Sequence, residues 1–304
     1  MVAAKFLDPK NDFAFKQIFG TEKNKSILVH FLNDILEFPE GEKVREVSFL
    51  RSSQDPEVAA KKQSIVDVLC RDEKGVQYIV EMQVARTPGF AKRAQYYAAK
   101  TYANQMNNGG VYHHLKQVIF LAITDFVMFP EKKGYKSDHV ILDKESYERD
   151  LKDFSFTFLE LPKFDRSAGE LSSMVEKWMY FFKHAPHTEP QELEKLIGSD
   201  LIIRQAYTAL DQFYWTEEQL NAYEREKKSQ LDAQALLEGA EAKGVAKGRV
   251  EGRAEGHAEG HVKGHAEGRI EAMKEVAKKM LAQGLTTAAV SSMTGLTQND
   301  LKDL

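Results

Sequence analysis

A chain of 304 residues can bury one substantial core and still carry an appendage. Its 42 Lys and Arg against 46 Asp and Glu leave a net charge of −4, so any contact with nucleic acid must come from a local basic patch. The single cysteine, Cys70, excludes an intramolecular disulfide and a cysteine-based zinc cluster, which fits a reducing cytoplasm. Charges at Lys5, Asp8, Lys10 and Asp12 interrupt any leader-like apolar run, and no later run of about 18 apolar residues predicts a membrane span.

From Asp12 to about Glu37, Phe15, Ile18 and Phe19, then Leu28, Phe31, Leu32, Ile35 and Leu36, recur at helical spacing, with a break expected at Thr21–Lys25. Lys43–Leu50 reads as a strand, followed by a polar loop in which Asp55-Pro56 disfavours helix. Ser64–Cys70 and Val76–Val84 are β-branched runs joined by the polar stretch Arg71–Gly75, a hairpin signature. Thr87 to about Gln105 reads as helix, ended by Gly109-Gly110, and Gln117–Ile123 as a buried strand. The expected class is α/β (α+β) with mixed strand direction, and from about Leu171 the pattern turns helical.

The chemistry sits in the hairpin. Asp67 interrupts an apolar strand, where an unpaired carboxylate is costly, so something must compensate it. Glu81 interrupts the facing strand, and Gln83, two residues on, shares its face. If Asp67 pairs with Ile79, it lies diagonal to Glu81, at roughly 7–8 Å between Cα atoms. A one-residue slip would send the two carboxylates to opposite faces. Two converging carboxylates without His or Cys suit a hard cation such as Mg²⁺, which activates water and neutralises charge on a phosphate. Gln83 can then hold the attacking water through its amide oxygen and reach a phosphate through its amide nitrogen.

Asp67, followed after an interval by Glu81-Met82-Gln83, resembles the D…E-x-Q variant of the PD-(D/E)XK nucleases, specifically the Rpn-type recombination-promoting nucleases, which are also labelled transposases. The resemblance spans nearly the whole chain: Asp12–Lys16 with Phe19, Phe31-Leu32-Asn33, Ile79–Gln83, Arg93 with Tyr96-Tyr97, Glu160–Phe164, Trp178 and the glycine-rich tail. It implies a restriction-endonuclease-like core and a DNA endonuclease that needs Mg²⁺ or Mn²⁺ and promotes recombination by breaking DNA. Asp67 and Glu81 would be metal ligands, with the carbonyl of Met82 a third, and Gln83 stands where the wider superfamily has lysine. Lys16, Lys61 or Arg93 can restore the missing charge, and the sequence does not choose among them. Asp12 otherwise reads as a helix-start charge and Lys16 as a solvated helix face. Lys16, Arg93 and Tyr96 are the candidate DNA contacts, Arg93 and Tyr96 being equally readable as core-edge packing.

The expected organisation is a nuclease domain over 1–228, a glycine-repeat segment over 229–271 and a small helical unit over 272–304. From Gly244 to Gly268 glycine recurs every fourth residue, beside a basic or His column containing His257, His261 and His265. Seven glycines at roughly 0.8–1 kcal/mol each make an isolated helix marginal. The segment reads as a spacer, or as a close-packing helix that joins copies into a homo-oligomer. Beyond it, Gly284 and Gly295 sit where helix C-caps belong and Thr297 with Asp300 forms a capping-box start, similar to a helix-turn-helix with a short last helix. Two other functions remain open: a catalytically inert DNA-binding or regulatory protein, and a transposase that joins strands.

Overall fold

The structure, a computed structural model, describes residues 5–51, 53–54, 64–106, 111–198 and 200–302. The chain divides into two compact units, Met1–Leu231 and Asp232–Leu304.

The first unit opens with α1 (Asp12–Phe19) and α2 (Lys25–Leu36), separated at the expected place by a 3-10 turn over Glu22–Asn24. Asn11 starts α1 by accepting the Ala14 amide (3.2 Å), which meets one of the donors a helix start leaves open. Strand β1 (Val47–Phe49) follows, then a two-stranded ribbon of β2 (Ser53–Gln54) and β3 (Ser64–Ile65). Most of the expected polar loop after β1, with Asp55-Pro56 and Lys61, lies outside the described residues.

Strands β4 (Val68–Asp72), β5 (Gln77–Gln83), β6 (Val118–Thr124), β7 (Lys136–Val140) and β8 (Phe154–Glu160) join β1 in a mixed six-stranded sheet of order β1-β4-β5-β6-β8-β7. The neighbours β5, β6 and β8 run parallel; β1, β4 and β7 run antiparallel to theirs. The parallel step from β5 to β6 is crossed by α3 (Phe90–Ala103), whose buried Phe90, Ala94, Ala98 and Thr101 form one apolar stripe. This helix ends at Ala103; Gly109-Gly110 lies outside the described residues.

All of β6 is buried, as a central parallel strand requires, and its side chains alternate between two cores. Ile119, Leu121 and Ile123 meet α1, α2, α4 (Met174–His184) and, beyond α5 (Pro190–Ile197), α6 (Leu201–Leu210), while Val118, Phe120 and Ala122 face α3. In the larger core Trp178 lies 5.1 Å from Phe31 and 6.1 Å from Phe19, ring centre to ring centre, and its indole N–H donates to Asp34 (2.8 Å). Strands β7 and β8 were not among the sequence expectations. The alternation Phe154, Phe156, Phe158 is a period-two signal that marks β8; β7 is a polar edge strand, KSDHV, with no such signal.

The hairpin register differs from Asp67 opposite Ile79. Val68 pairs with Val80 and Leu69 with Ile79, which sets Asp67, one residue before Val68, beside Glu81 and Met82. The cause is the turn. Arg71 and Asp72 continue β4, leaving Glu73–Gly75 as a three-residue loop with Gly75 at φ 91°. Asp72 organises it, one carboxylate oxygen accepting the Lys74 and Val76 amides (2.9 Å each) and the other the Tyr78 hydroxyl (3.0 Å).

Helix α7 (Glu217–Ala282) runs across the boundary between the units in sequence, and Gly244–Gly268 is helical throughout. The glycine penalty is overcome because extending a helix is far easier than starting one, and three residues in four of the repeat are ordinary helix formers. In the second unit α8 (Thr287–Thr294) and α9 (Gln298–Lys302) enclose Ala277, Val290, Leu296 and Leu301 with the end of α7. Gly284 (φ 86°) and Gly295 (φ 73°) are the left-handed caps that the sequence placed there. Asp300 accepts the Thr297 amide (2.9 Å) and Thr297 accepts the Asp300 amide (3.2 Å), completing the capping box.

Candidate active site

Asp67 sits at a break between β3 and β4, where the ladder bends. Its carboxylate takes the Met82 amide hydrogen (Oδ2, 2.9 Å), which fixes it against β5. Glu81 is buried in β5, on the face turned toward α3, and its Oε1 has no hydrogen-bond partner. Both carboxyls are held above the usual carboxylate range. For Asp67 the cause is burial first and the Asp12 charge second, opposed by the Met82 amide and Lys16, and the result is a group pushed up to about 6. For Glu81 it is burial and then the charge of Asp67, opposed by Arg93, and the carboxyl rises well above its ordinary value.

Lys16 is not the solvated lysine of a free helix face. Its ammonium lies 2.7 Å from Asp12 and 3.5 Å from Asp67, bridging α1 to the hairpin. Burial works against its charge, but the hydrogen bond to Asp12 and the Asp67 charge outweigh it and raise its pKa. Asp12 is therefore a third carboxylate at the site, which sequence reasoning missed because an i,i+4 Asp–Lys pair ordinarily satisfies itself on a helix surface.

Gln83 projects with Glu81 toward α3. Its amide nitrogen donates to the Ala85 carbonyl (2.8 Å) and its amide oxygen accepts from Arg93 Nη2, so both groups are already engaged. Arg93 stacks on Phe90, 4.8 Å from the ring centre, and on Tyr97 at 6.0 Å. The carboxylates of Glu81 and Asp67 act on the Tyr97 phenol, whose pKa is raised mainly by burial. Tyr96 is 54% exposed, with its ring 6.0 Å from that of Tyr97. The structure thus brings Asp67, Glu81, Gln83, Lys16 and Arg93 together and adds Asp12 and Tyr97.

The Glu160–Phe164 stretch acts at the same end of the sheet, since β5, β6 and β8 align Gln83, Thr124 and Glu160. The fully buried Glu160 accepts the Met128 and Phe129 amides (2.7 and 3.1 Å) and pairs with Lys163 (2.7 Å), pinning the chain that leaves β6.

Among the described residues no group of three or more His, Cys, Asp or Glu side chains converges tightly enough to enclose a metal ion. What is present is a carboxylate pair with one orphaned oxygen, in a place where ionising both groups without a cation is unfavourable. That is the donor set of an open site for a hard divalent ion, completed by water, backbone or substrate oxygens.

A mixed sheet flanked by helices, with Asp at a strand break and E-x-Q on its hairpin partner, defines a PD-(D/E)XK domain. The family model for the PD-(D/E)XK nuclease family transposases matches residues 9–240, and the chain belongs to that family. Residues 271–304 match the C-terminal HTH domain of the Rpn/YhgA-like nuclease family. No curated protein and no solved structure matches the chain. The family supports a nuclease or transposase-like function and a DNA-binding C-terminal unit. Among the described residues no helix is long and apolar enough to cross a membrane.

Proposed function

We propose that this protein is a metal-dependent DNA endonuclease that hydrolyses phosphodiester bonds and thereby promotes recombination, with Asp67 and Glu81 holding Mg²⁺ or Mn²⁺. The observation that carries the reading is the orphaned Oε1 of buried Glu81 beside Asp67, with both carboxyls raised. Bound there, the ion supplies Lewis-acid charge for a water nucleophile and for the phosphate.

The residues do the rest. The Met82 amide and Lys16 hold the Asp67 carboxylate in place, and the Met82 carbonyl is the third ligand of the proposal. Without a cation, burial and mutual repulsion favour a proton on the pair, and ligation requires both groups ionised, so metal affinity falls as pH drops through the raised pKa values of Glu81 and Asp67. Arg93 and Tyr96 are the proposed DNA contacts of this unit, Lys16, the third candidate, being engaged by Asp12 and Asp67, and the cytoplasm is its proposed compartment. A homo-oligomer through the glycine repeat is part of the reading, and sedimentation of the full-length protein tests it.

The deciding experiment is incubation with supercoiled plasmid. Nicking or linearisation with Mg²⁺ or Mn²⁺, absent in EDTA and in Asp67→Ala, is the expected result. Equal cleavage by wild type and Asp67→Ala in contaminant-controlled preparations rules out this site.

A further inference from the structure

We infer that Arg93 supplies the positive charge that meets the scissile phosphate, and that Gln83 acts through it by aiming its guanidinium. The inference rests on the nuclease reading above and assigns a division of labour within that site.

Three cations were open to the sequence. Lys16 is held between Asp12 and Asp67, which neutralise it. Lys61 lies outside the described residues. Arg93 forms no ion pair with any carboxylate among the described residues; it lowers the Glu81 pKa through space while giving its one hydrogen bond to the neutral amide of Gln83. A guanidinium has five N–H donors in a rigid plane, so one bond to Gln83 leaves a fork to receive a phosphate oxygen. Its Nε is buried without a partner among the described residues, and the plane is braced by the Phe90 and Tyr97 rings.

Gln83 is suited to the opposite task. Its nitrogen is tied to the Ala85 carbonyl, which turns its oxygen toward α3 and makes it an acceptor for Arg93. A lysine at 83 would put a second cation against that guanidinium. Glutamine on the strand and arginine on the crossover helix therefore form one unit: the charge has moved from strand to helix, and the strand residue has become its holder.

Two measurements on the full-length protein separate this from a structural role. The first is DNA affinity in EDTA across a salt series, where cleavage cannot interfere. Arg93→Ala should reduce the slope of log affinity against log salt by about 0.9, the value of one phosphate contact, whereas Arg93→Lys should keep it and Gln83→Ala should change it by less than half as much. The second is plasmid cleavage with Mg²⁺. Arg93→Ala should lower the rate by about 10²–10³, Gln83→Ala by less, and Gln83→Ala should cost nothing further in the Arg93→Ala background. Gln83→Lys should slow the wild type yet raise the rate of Arg93→Ala, because it returns the charge to the strand.

An unchanged salt slope in Arg93→Ala overturns the inference, as does a Gln83→Ala loss that persists undiminished when Arg93 is absent. Should Arg93→Ala lose its thermal transition, Arg93→Gln, which keeps a polar stem without the charge, decides the slope. A wild type that binds DNA but never cuts with metal sinks the nuclease reading, while the salt slopes still decide whether Arg93 meets phosphate.

Discussion

The two units of this protein are stabilised in opposite ways. In Met1–Leu231, helices and strands are held by what they bury: α1, α2, α4 and α6 surround aromatic rings on one side of the sheet, and α3 covers the other. In Asp232–Leu304, the glycine-repeat part of α7 is exposed at every residue from Gly244 to Gly268, and its regularity comes from the backbone and exposed side-chain pairs rather than from burial until the small cluster around Ala277 and Val290. The first unit can therefore carry an energetically costly carboxylate pair, because a large core offsets it. The repeat has no such reserve, and carries no buried polar group at all.

The largest effect that tests this contrast is removal of a core ring. Trp178→Ala leaves a cavity among Phe19, Phe31 and Phe181 and strands the Asp34 carboxylate that accepts the indole N–H. Such truncations cost about 3–5 kcal/mol, so the sheet-containing unit should melt on the order of 10 °C lower by calorimetry. A shift of only a degree or two would mean that this core is not what holds the unit together.

A smaller effect of opposite sign is expected at the carboxylate pair. Because the folded-state pKa of Asp67 is raised, its stabilising contribution is complete below the unfolded value near 3.8 and is lost as pH rises through about 6. At pH 8 in EDTA, Asp67→Asn should therefore stabilise the unit, by roughly 1–3 kcal/mol, while abolishing metal-dependent cleavage. Mg²⁺ should raise the wild-type Tm at pH 8 and leave that of the variant unmoved. A variant that melts lower than wild type at pH 8 would contradict the strain assigned to this pair.

How far these features can be read from sequence depends on whether the signal is local. The α1 and α2 stripes, the buried run of β6, the Gly284 and Gly295 caps and the Thr297–Asp300 box are all local, and the structure has them. The carboxylate pair was legible as a paradox, since Asp67 and Glu81 interrupt apolar strands. Its register was not, because Asp72 draws the turn tighter than the polar stretch Arg71–Gly75 suggests. Nothing local shows that Lys16 and Asp12 lean onto Asp67, or that Arg93 reaches Gln83, because both contacts join a helix to a sheet. The helicity of the repeat was underestimated for a related reason: propensity counts each glycine's cost but not the ease of extending a helix already begun.

Within the repeat, single substitutions should act weakly and predictably. A methyl group added at Gly252 or Gly256 meets nothing within 4 Å, so Gly→Ala at either should raise helix stability by about 0.8–1 kcal/mol. Far-UV circular dichroism should show the tail's helical signal persisting to higher temperature, with the sheet-containing unit's transition unmoved. A loss of helicity or a drop in sedimentation coefficient would instead show that a second copy packs against those glycines.

The smallest expected effect is the strictest test of the contrast. Deleting 244–268 removes residues that are exposed throughout and that form, among the described residues, a single side-chain ion pair, the solvent-exposed Lys247–Glu251 at 3.6 Å. An exposed i,i+4 pair contributes only about 0.3–0.5 kcal/mol, and only to the helix that contains it. The deleted protein should therefore keep the calorimetric transition of Met1–Leu231 within about a degree and cut short linear DNA at the wild-type rate. If that transition falls by several degrees, the repeat packs on the sheet-containing unit and its glycines are there to let it approach. If the transition holds but cleavage falls, the repeat serves the reaction by the distance it sets between the carboxylate pair and the C-terminal helices, and replacing it with an alanine-rich helix of equal length should restore the rate.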